Sequence, residues 1–488
     1  MSLDGDPTLA GTTSTRRGWG TRWITKMTLS YKDVSFWMED AGEALTPRPA
    51  LACSGDVDVA ILGAGYTGLW TAYYLLKANP GLRVAVVEGE IAGYGASGRN
   101  GGWCSPRFPV SAGLMTKRYG APAARAVLMA LQAAVEEIRD ASEREGIDAC
   151  FRACGTLTVA RGAHQIPALK GSLAAYERLG MGDRYHFLSP EQVSERVRVS
   201  DVHAGLYTPD GASLHPGRLV RGLARAVEAA GGAIYERTRA TEFHGGTRAR
   251  LVTEAGELRA AKAIVLAGEA YLSRLPGLRR ALLPVYSLIS LTEPLTPAQW
   301  GEIGWERGEN LASTRNTVVY LTKTPDGRIL FGSRGAPYAF GSRISEDQER
   351  HGETMAMIQN SLRAWFPSLA GIRFTHAWGG PVGMPMDWTP AVRFDAGTRI
   401  GFAGGYTGQG VATANLAGQM LAGTIEGRKS GYEELPFANR RSPGWIPEPL
   451  RWLVVRYMQG ALERIDLAAE AGRRRPADAA IAEFLGRH

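Results

Sequence analysis

The sequence predicts an α/β protein in which a doubly wound, Rossmann-like nucleotide-binding domain is interleaved with a second domain built on an antiparallel sheet. Three observations point there. The apolar run Val57–Leu62 enters a G-x-G-x-x-G turn (Gly63, Gly65, Gly68) and then a helix-type pattern. A second strand, glycine turn and helix start recur far down the chain at Ile400–Gly410. Between them, residues 284–340 read as one strand after another, with Asp326-Gly327 as a hairpin turn.

Each element of the first motif has a physical job. Val57–Leu62 is nearly unbroken apolar, as a parallel strand buried on both faces must be. Gly63 permits the tight turn. Gly65 lacks a Cβ, so a pyrophosphate can approach the backbone, and Gly68 lets helix and strand pack closely. The helix pattern runs through Leu69, Ala72, Tyr73 and Leu76 to Ala78, and Pro80-Gly81 stops it. Tyr66 and Thr67 therefore stand in its first turn, where N–H groups and the positive dipole end attract phosphate. Arg83–Val87 reads as the second strand. Glu88 at its end is placed to accept hydrogen bonds from a ribose diol, and its charge disfavours a 2′-phosphate.

The following loop, Gly93 to Gly102, holds five glycines in ten positions. Backbone that bare presses against something flat or charged. Ser97, Arg99 and Asn100 add donors, with Gly95, Ala96, Gly98, Gly101 and Gly102 around them. A loop of this length suits a cofactor extending well beyond its adenosine half. DVAILGAGYTGLWTAYYL followed by GASGRNGG resembles the FAD-dependent oxidoreductases of the D-amino-acid oxidase superfamily, in the branch of glycine oxidase, sarcosine oxidase and γ-glutamylputrescine oxidoreductase. The resemblance covers roughly residues 55–430. It implies FAD as cofactor, with Gly268 and Glu269 beside it where the first domain closes. It also implies that Gly405, Tyr406, Thr407, Gly408, Gln409 and Gly410 contact the flavin ring. In the family, covalent flavin linkage uses a histidine in the first loop or a cysteine towards the C-terminus. SGRNGG has no histidine and no cysteine lies beyond Cys154, so a non-covalent FAD is implied.

The remaining segments fall in order. Residues 1–26 read as a disordered basic extension; Arg16-Arg17 lacks the apolar stretch of an export signal, and Met27 is a possible true start. Residues 27–55 form an arm, and 56–110 the first part of the FAD-binding domain. Residues 111–200 are a helical and substrate-domain segment, with Leu128, Leu131, Val135 and Ile138 on one helix face. Residues 201–275 are the second part of the FAD-binding domain, including a helix opened by Pro216. Residues 276–375 form the substrate domain, where Ser345 and Gln348 read as a capping box before Met355, Ile358, Leu362 and Trp365. Residues 376–430 return to the FAD-binding domain. Residues 431–488 are an amphipathic tail, its apolar face Leu450, Leu453, Val454, Met458, Leu462 and Ile465. That face packs on the body or a second subunit, or rests on a membrane surface.

Composition excludes several classes. The 488 residues are 44% hydrophobic and 21% charged, with net charge +8 and pI near 9.3. No basic run interleaved with aromatics supports nucleic-acid binding. No run approaches the ~18 apolar residues of a membrane span. The four cysteines form no Cys-x-x-Cys pair, which indicates neither metal nor disulfide framework and suits the cytoplasm.

FAD-dependent oxidation of an amine or amino acid follows as the expected activity. A neutral amine places its α C–H over flavin N5, a hydride leaves and water hydrolyses the imine. A helix start at the pyrimidine edge would raise the flavin's electron affinity. Candidate substrate-side residues are His215, Tyr320, Arg334, Trp378 and Tyr406: Arg334 to pair with a carboxylate or phosphonate, Tyr320 and Trp378 as pocket walls, His215 to assist deprotonation. Oxygen and a carrier both stay open as electron acceptor. A flavin monooxygenase using NAD(P)H, a non-catalytic FAD-binding protein and an NAD-dependent dehydrogenase are the rival readings.

Overall fold

The computed structural model describes residues 30–486. The expected basic extension and the possible start at Met27 lie outside these residues. Two eight-stranded sheets carry the described chain, and a three-stranded sheet ties them near the arm.

The first sheet is built around Gly55–Leu62. It pairs in parallel with Val84–Val87 on one side and with Gly256–Leu266 on the other. Val84–Val87 then pairs with Ala233–Tyr235, and Gly256–Leu266 with Ile400–Gly404, again in parallel. Helices cover one face of these strands, while Leu51 of the arm, Leu251 and Leu272 pack on the other, and all four residues of Val84–Val87 are buried accordingly. Each fully buried valine contributes about 1.5–3 kcal/mol. Helices Tyr66–Ala78 and Gly410–Ile425 cross on one face. A Cβ on Gly418 would lie 2.6 Å from Trp70 Cβ, so the crossing is close because one residue is glycine.

The second sheet runs in the order 374–384, 283–292, 329–334, 319–323, 310–313, 156–161, 202–208, 186–188. It is antiparallel except where Asn310–Ser313 pairs in parallel with Thr156–Arg161. Helix Gly352–Trp365 covers one face through Met355, Ile358, Leu362 and Trp365. The arm covers the other through Phe36 and Trp37.

Several expectations need correction. Val202–Thr208 and Phe374–Met384 belong to the second sheet, so the chain returns to the first sheet after Met384 rather than at residue 376. Local pattern marks a strand but not its partner, and pairing decides the sheet. The capping box at Ser345 does not form: Ser345 makes no side-chain cap, and a short helix Glu346–Glu349 ends before His351 caps Gly352–Trp365. The tail helix Leu450–Glu470 buries Arg451, Val455, Ala461 and Asp466, while Leu450 and Leu453 stay exposed. Polar fastening overrides the apolar stripe here. Asp466 accepts from the backbone N–H of Asn316 and Thr317, at 3.0 and 2.7 Å. No helix among the described residues is long and apolar enough to cross a membrane.

Candidate functional site

A cavity of about 1030 Å³ lies between the two sheets, at the carboxyl ends of the first sheet's parallel strands. Ligands bind there in open α/β folds. Gly63, Gly65, Tyr66, Thr67 and Glu88 line one end. Gly95, Ala96, Ser97, Asn100, Gly268, Glu269, Tyr406, Gly408 and Gly410 line the cavity as well.

The glycines explain the cradle's shape. A Cβ on Gly68 would stand 2.0 Å from the Gly63 carbonyl oxygen, and one on Gly65 would stand 3.0 Å from Ser97 Oγ. Gly63 has φ +104°, a conformation open to glycine. Ser97 Oγ accepts from the Tyr66 N–H at 2.9 Å, which locks the second loop over the first helix start. Neither Tyr66–Ala78 nor Gly410–Ile425 has a side-chain N-cap. Apart from the Tyr66 N–H held by Ser97, their leading N–H groups lack side-chain acceptors next to the cavity.

Two carboxylates border the space. Glu88 accepts from the N–H of Ala64 at 3.0 Å and of Glu90 at 3.1 Å. Burial nevertheless pushes its pKa up to about 6. Glu269, at φ +46°, accepts from the N–H of Gly405 at 2.9 Å and of Tyr406 at 3.2 Å. Burial raises its pKa to about 7 against these stabilising N–H groups. Glu269 thus joins the end of a first-sheet strand to the second glycine loop. A folded pKa above the ordinary carboxylate value means that the native state binds the extra proton. Stability is therefore lost as pH rises from about 4.5 to 7. Glu269→Gln is expected to remove about 2–3 kcal/mol of that loss. Urea unfolding of both proteins across pH 4.5–8 checks this, and parallel curves would contradict it.

Other expected residues sit away from the cavity wall. Gly68 packs helix on strand. Gly98, Gly101 and Gly102 pack the loop: Cβ atoms there would meet the Gly93 carbonyl at 2.3 Å, Tyr320 Cε2 at 2.4 Å and the Leu214 carbonyl at 2.7 Å. Gly405, Thr407 and Gln409 shape the second loop without lining the cavity. Arg99 is buried and turned to the second sheet. It donates to Glu349 at 2.6 Å, to the Gly379 carbonyl at 3.0 Å and to the Tyr94 carbonyl at 2.7 Å.

Among the substrate-side candidates, His215 caps helix Pro216–Ala229. Its Nδ1 accepts the Arg218 N–H at 3.1 Å, and its Nε2 lies 3.2 Å from Asp40. Burial and Arg218 pull its pKa down to about 4. It does not line the cavity, so the expected base is a structural cap. Trp378 is core rather than wall: its Nε1 donates to the Arg99 carbonyl at 2.9 Å, and it packs with Ile289 and Leu330. Tyr320 is wedged between Gly101 and Gly332, its hydroxyl 2.9 Å from Ser287 Oγ. Tyr406 lines the cavity while its hydroxyl meets Thr67 Oγ1 at 2.9 Å, joining the two glycine motifs.

Arg334 stands beside the second loop, behind Gly408, and is not itself among the residues lining the cavity. Its Nη2 donates to the Thr407 carbonyl at 2.7 Å, and a Cβ on Gly408 would be 3.4 Å from it. Among the described residues it forms no ion pair, and burial lowers its pKa. Sequence reasoning missed Tyr94, Tyr271, Ser345, Glu346, Asp347 and Glu349, which also line the cavity. Tyr271 Oη is cut off from solvent with no hydrogen-bond partner. Only the packing of helix Glu346–Glu349 on the second sheet turns those carboxylates towards the cavity; in sequence they read as a solvated turn.

Uncapped helix starts, glycine backbone and an orphaned hydroxyl are what a diphosphate-bearing, polar-edged cofactor requires, and the residues present fit FAD. The family model "FAD dependent oxidoreductase" (DAO) matches residues 58–424. The chain belongs to this family, and it is an FAD-dependent oxidoreductase. It is 30% identical over 430 residues to γ-glutamylputrescine oxidoreductase of Escherichia coli K12, covering 85% of this chain and 92% of the relative. It is 24% identical over 398 residues to glycine oxidase of Geobacillus kaustophilus, covering 80% and 98%. That enzyme's crystal structure superposes with TM-score 0.65 at 23% identity, over 80% of this chain and all (100%) of the other. L-proline dehydrogenase from P. horikoshii gives 0.63 at 20% identity, over 80% and 96%. These two structures show the fold.

Proposed function

We propose that the protein oxidises the carbon–nitrogen bond of an amine or amino acid to an imine, which water then hydrolyses. The observation that carries this is the 30% identity to γ-glutamylputrescine oxidoreductase across both sheets. Bound FAD supplies the two-electron acceptor for this oxidation. The chain's own residues bind and orient. Gly63–Thr67 and Ser97 receive the diphosphate, Glu88 the ribose diol, and Gly408 and Gly410 the ring end.

On the substrate side, Arg334 stands behind the cavity-lining Gly408, and its charge, without a carboxylate partner, draws an anionic group of the substrate to that end. Among the lining carboxylates, Glu346 and Asp347 draw in the cationic amine, since Glu349 is paired with Arg99. Inside, loss of water favours the neutral amine over the ammonium, the form able to release its α hydrogen. Glu269 acts as a positioning residue through the second loop. No histidine or cysteine is among the lining residues, which supports a non-covalent FAD.

The test is anaerobic. Purified yellow protein is mixed with primary and secondary amines, amino acids, polyamine conjugates and aminophosphonates, and the flavin band is followed. Bleaching by at least one of them is expected, and acid precipitation should leave the flavin in the supernatant. Bleaching by NAD(P)H alone would replace this reading with a monooxygenase. Admitting air then tells oxygen from a carrier as acceptor.

A further inference from the structure

A second, smaller cavity of about 80 Å³ lies where the arm meets the three-stranded sheet, sharing no residue with the large one. Arg152, Lys323, Ser213, Thr322 and Cys150 line it, with Trp37 as one apolar wall. No carboxylate lines it. Arg152 and Lys323 form no ion pair among the described residues. Both are half-buried, and they repel each other strongly enough to help lower the Lys323 pKa below its usual value, after burial itself.

Arg152 is held in place rather than swinging free. Its Nη2 donates to Ser213 Oγ, the Gly308 carbonyl and the Lys323 carbonyl, each at 3.1 Å. Its Nε has no hydrogen-bond acceptor. Lys323 Nζ reaches the Trp305 carbonyl at 3.2 Å and lies 4.1 Å from the centroid of the Trp300 ring. Carbonyls and a ring face orient these two charges but do not neutralise them. Two oriented cations without an ion-pair partner, with Glu306 acting on Lys323 only from outside the lining, and the Ser213 hydroxyl beside them make a site for a small oxyanion.

We propose that this cavity binds a small oxyanion such as phosphate or a carboxylate, held by Arg152, Lys323 and Ser213, while Thr322 lines it and ties it to the loop behind. The site is wired to the cofactor cradle. Thr322 Oγ1 donates to the Gly101 carbonyl at 2.7 Å, and Trp37 Nε1 donates to the Asn100 carbonyl at 2.7 Å. An anion there braces the back of the glycine loop whose front faces the large cavity.

The test uses the FAD-loaded full chain in thermal melts at constant ionic strength, exchanging chloride for inorganic phosphate, then sulfate or acetate. At about 50 mM phosphate the melting temperature is expected to rise saturably by about 2–4 °C. Arg152→Met should abolish the rise. Lys323→Gln should move half-saturation about tenfold higher, since one lost charge contact is of that order. An equal rise in chloride, or one unchanged in Arg152→Met, overturns the proposal. Should Arg152→Met fail to fold, Lys323→Gln decides alone, and an unchanged half-saturation refutes the site.

Discussion

Replacing Gly68 by alanine is expected to yield protein with little or no bound FAD. In an unconstrained helix the change would stabilise by about 1 kcal/mol, because alanine is the better helix former. Here the new methyl would lie 2.0 Å from the Gly63 carbonyl oxygen and 3.1 Å from Ile61 Cγ2. The first contact is with backbone, which cannot rotate aside. Helix Tyr66–Ala78 must lift from strand Gly55–Leu62, carrying Gly65 and the Tyr66 N–H out of register with Ser97. Overpacking of this kind costs about 1–3 kcal/mol or more, and it falls on the cradle itself. The ratio of flavin to protein absorbance after purification, with added FAD titrated back, measures the effect. A drop in FAD affinity of at least about 100-fold is expected. Gly171→Ala is the control: it lies in helix Ile166–Arg178, and nothing comes within 4 Å of its added methyl. Unchanged FAD affinity in Gly68→Ala would sink the cradle reading.

The second large effect is at Arg334. If it holds an anionic group of the substrate, Arg334→Met should lower kcat/KM for a carboxylate-bearing amine about 100-fold, the worth of about 2–3 kcal/mol in charged hydrogen bonds. The same variant should treat the matching amine without the carboxylate nearly as wild type does. The comparison matters because Arg334 also donates to the Thr407 carbonyl, at a residue with φ +49°. Equal losses on both substrates would assign Arg334 to holding that loop, and the substrate-anion role would fall.

How much was legible in the sequence varies by residue. The first glycine motif was legible because its spacing is local: strand, three glycines, helix and Glu88 all stand within one short stretch. The second glycine turn was legible for the same reason. The role of Gly101 was not. It was expected to face the cofactor, yet it gives way to Tyr320, a residue more than two hundred positions away in the chain. Arg99 and Trp378 were read as site residues because of their chemistry and neighbourhood. They instead bond to each other's segments, the Trp378 indole to the Arg99 carbonyl, and clamp loop to sheet.

The sequence by itself determined the two glycine motifs, the family resemblance and the mixed α/β class, since each rests on short-range spacing and side-chain period. Only the tertiary structure decided which faces turn inward. It made His215 a cap, brought Glu349 and Tyr271 to the cavity and set Glu269 against Gly405 and Tyr406. It also placed Arg152 and Lys323 around one small space without a carboxylate. The reason is physical: a side chain's type fixes what it can bond, but long-range strand pairing and helix packing fix what stands within bonding distance.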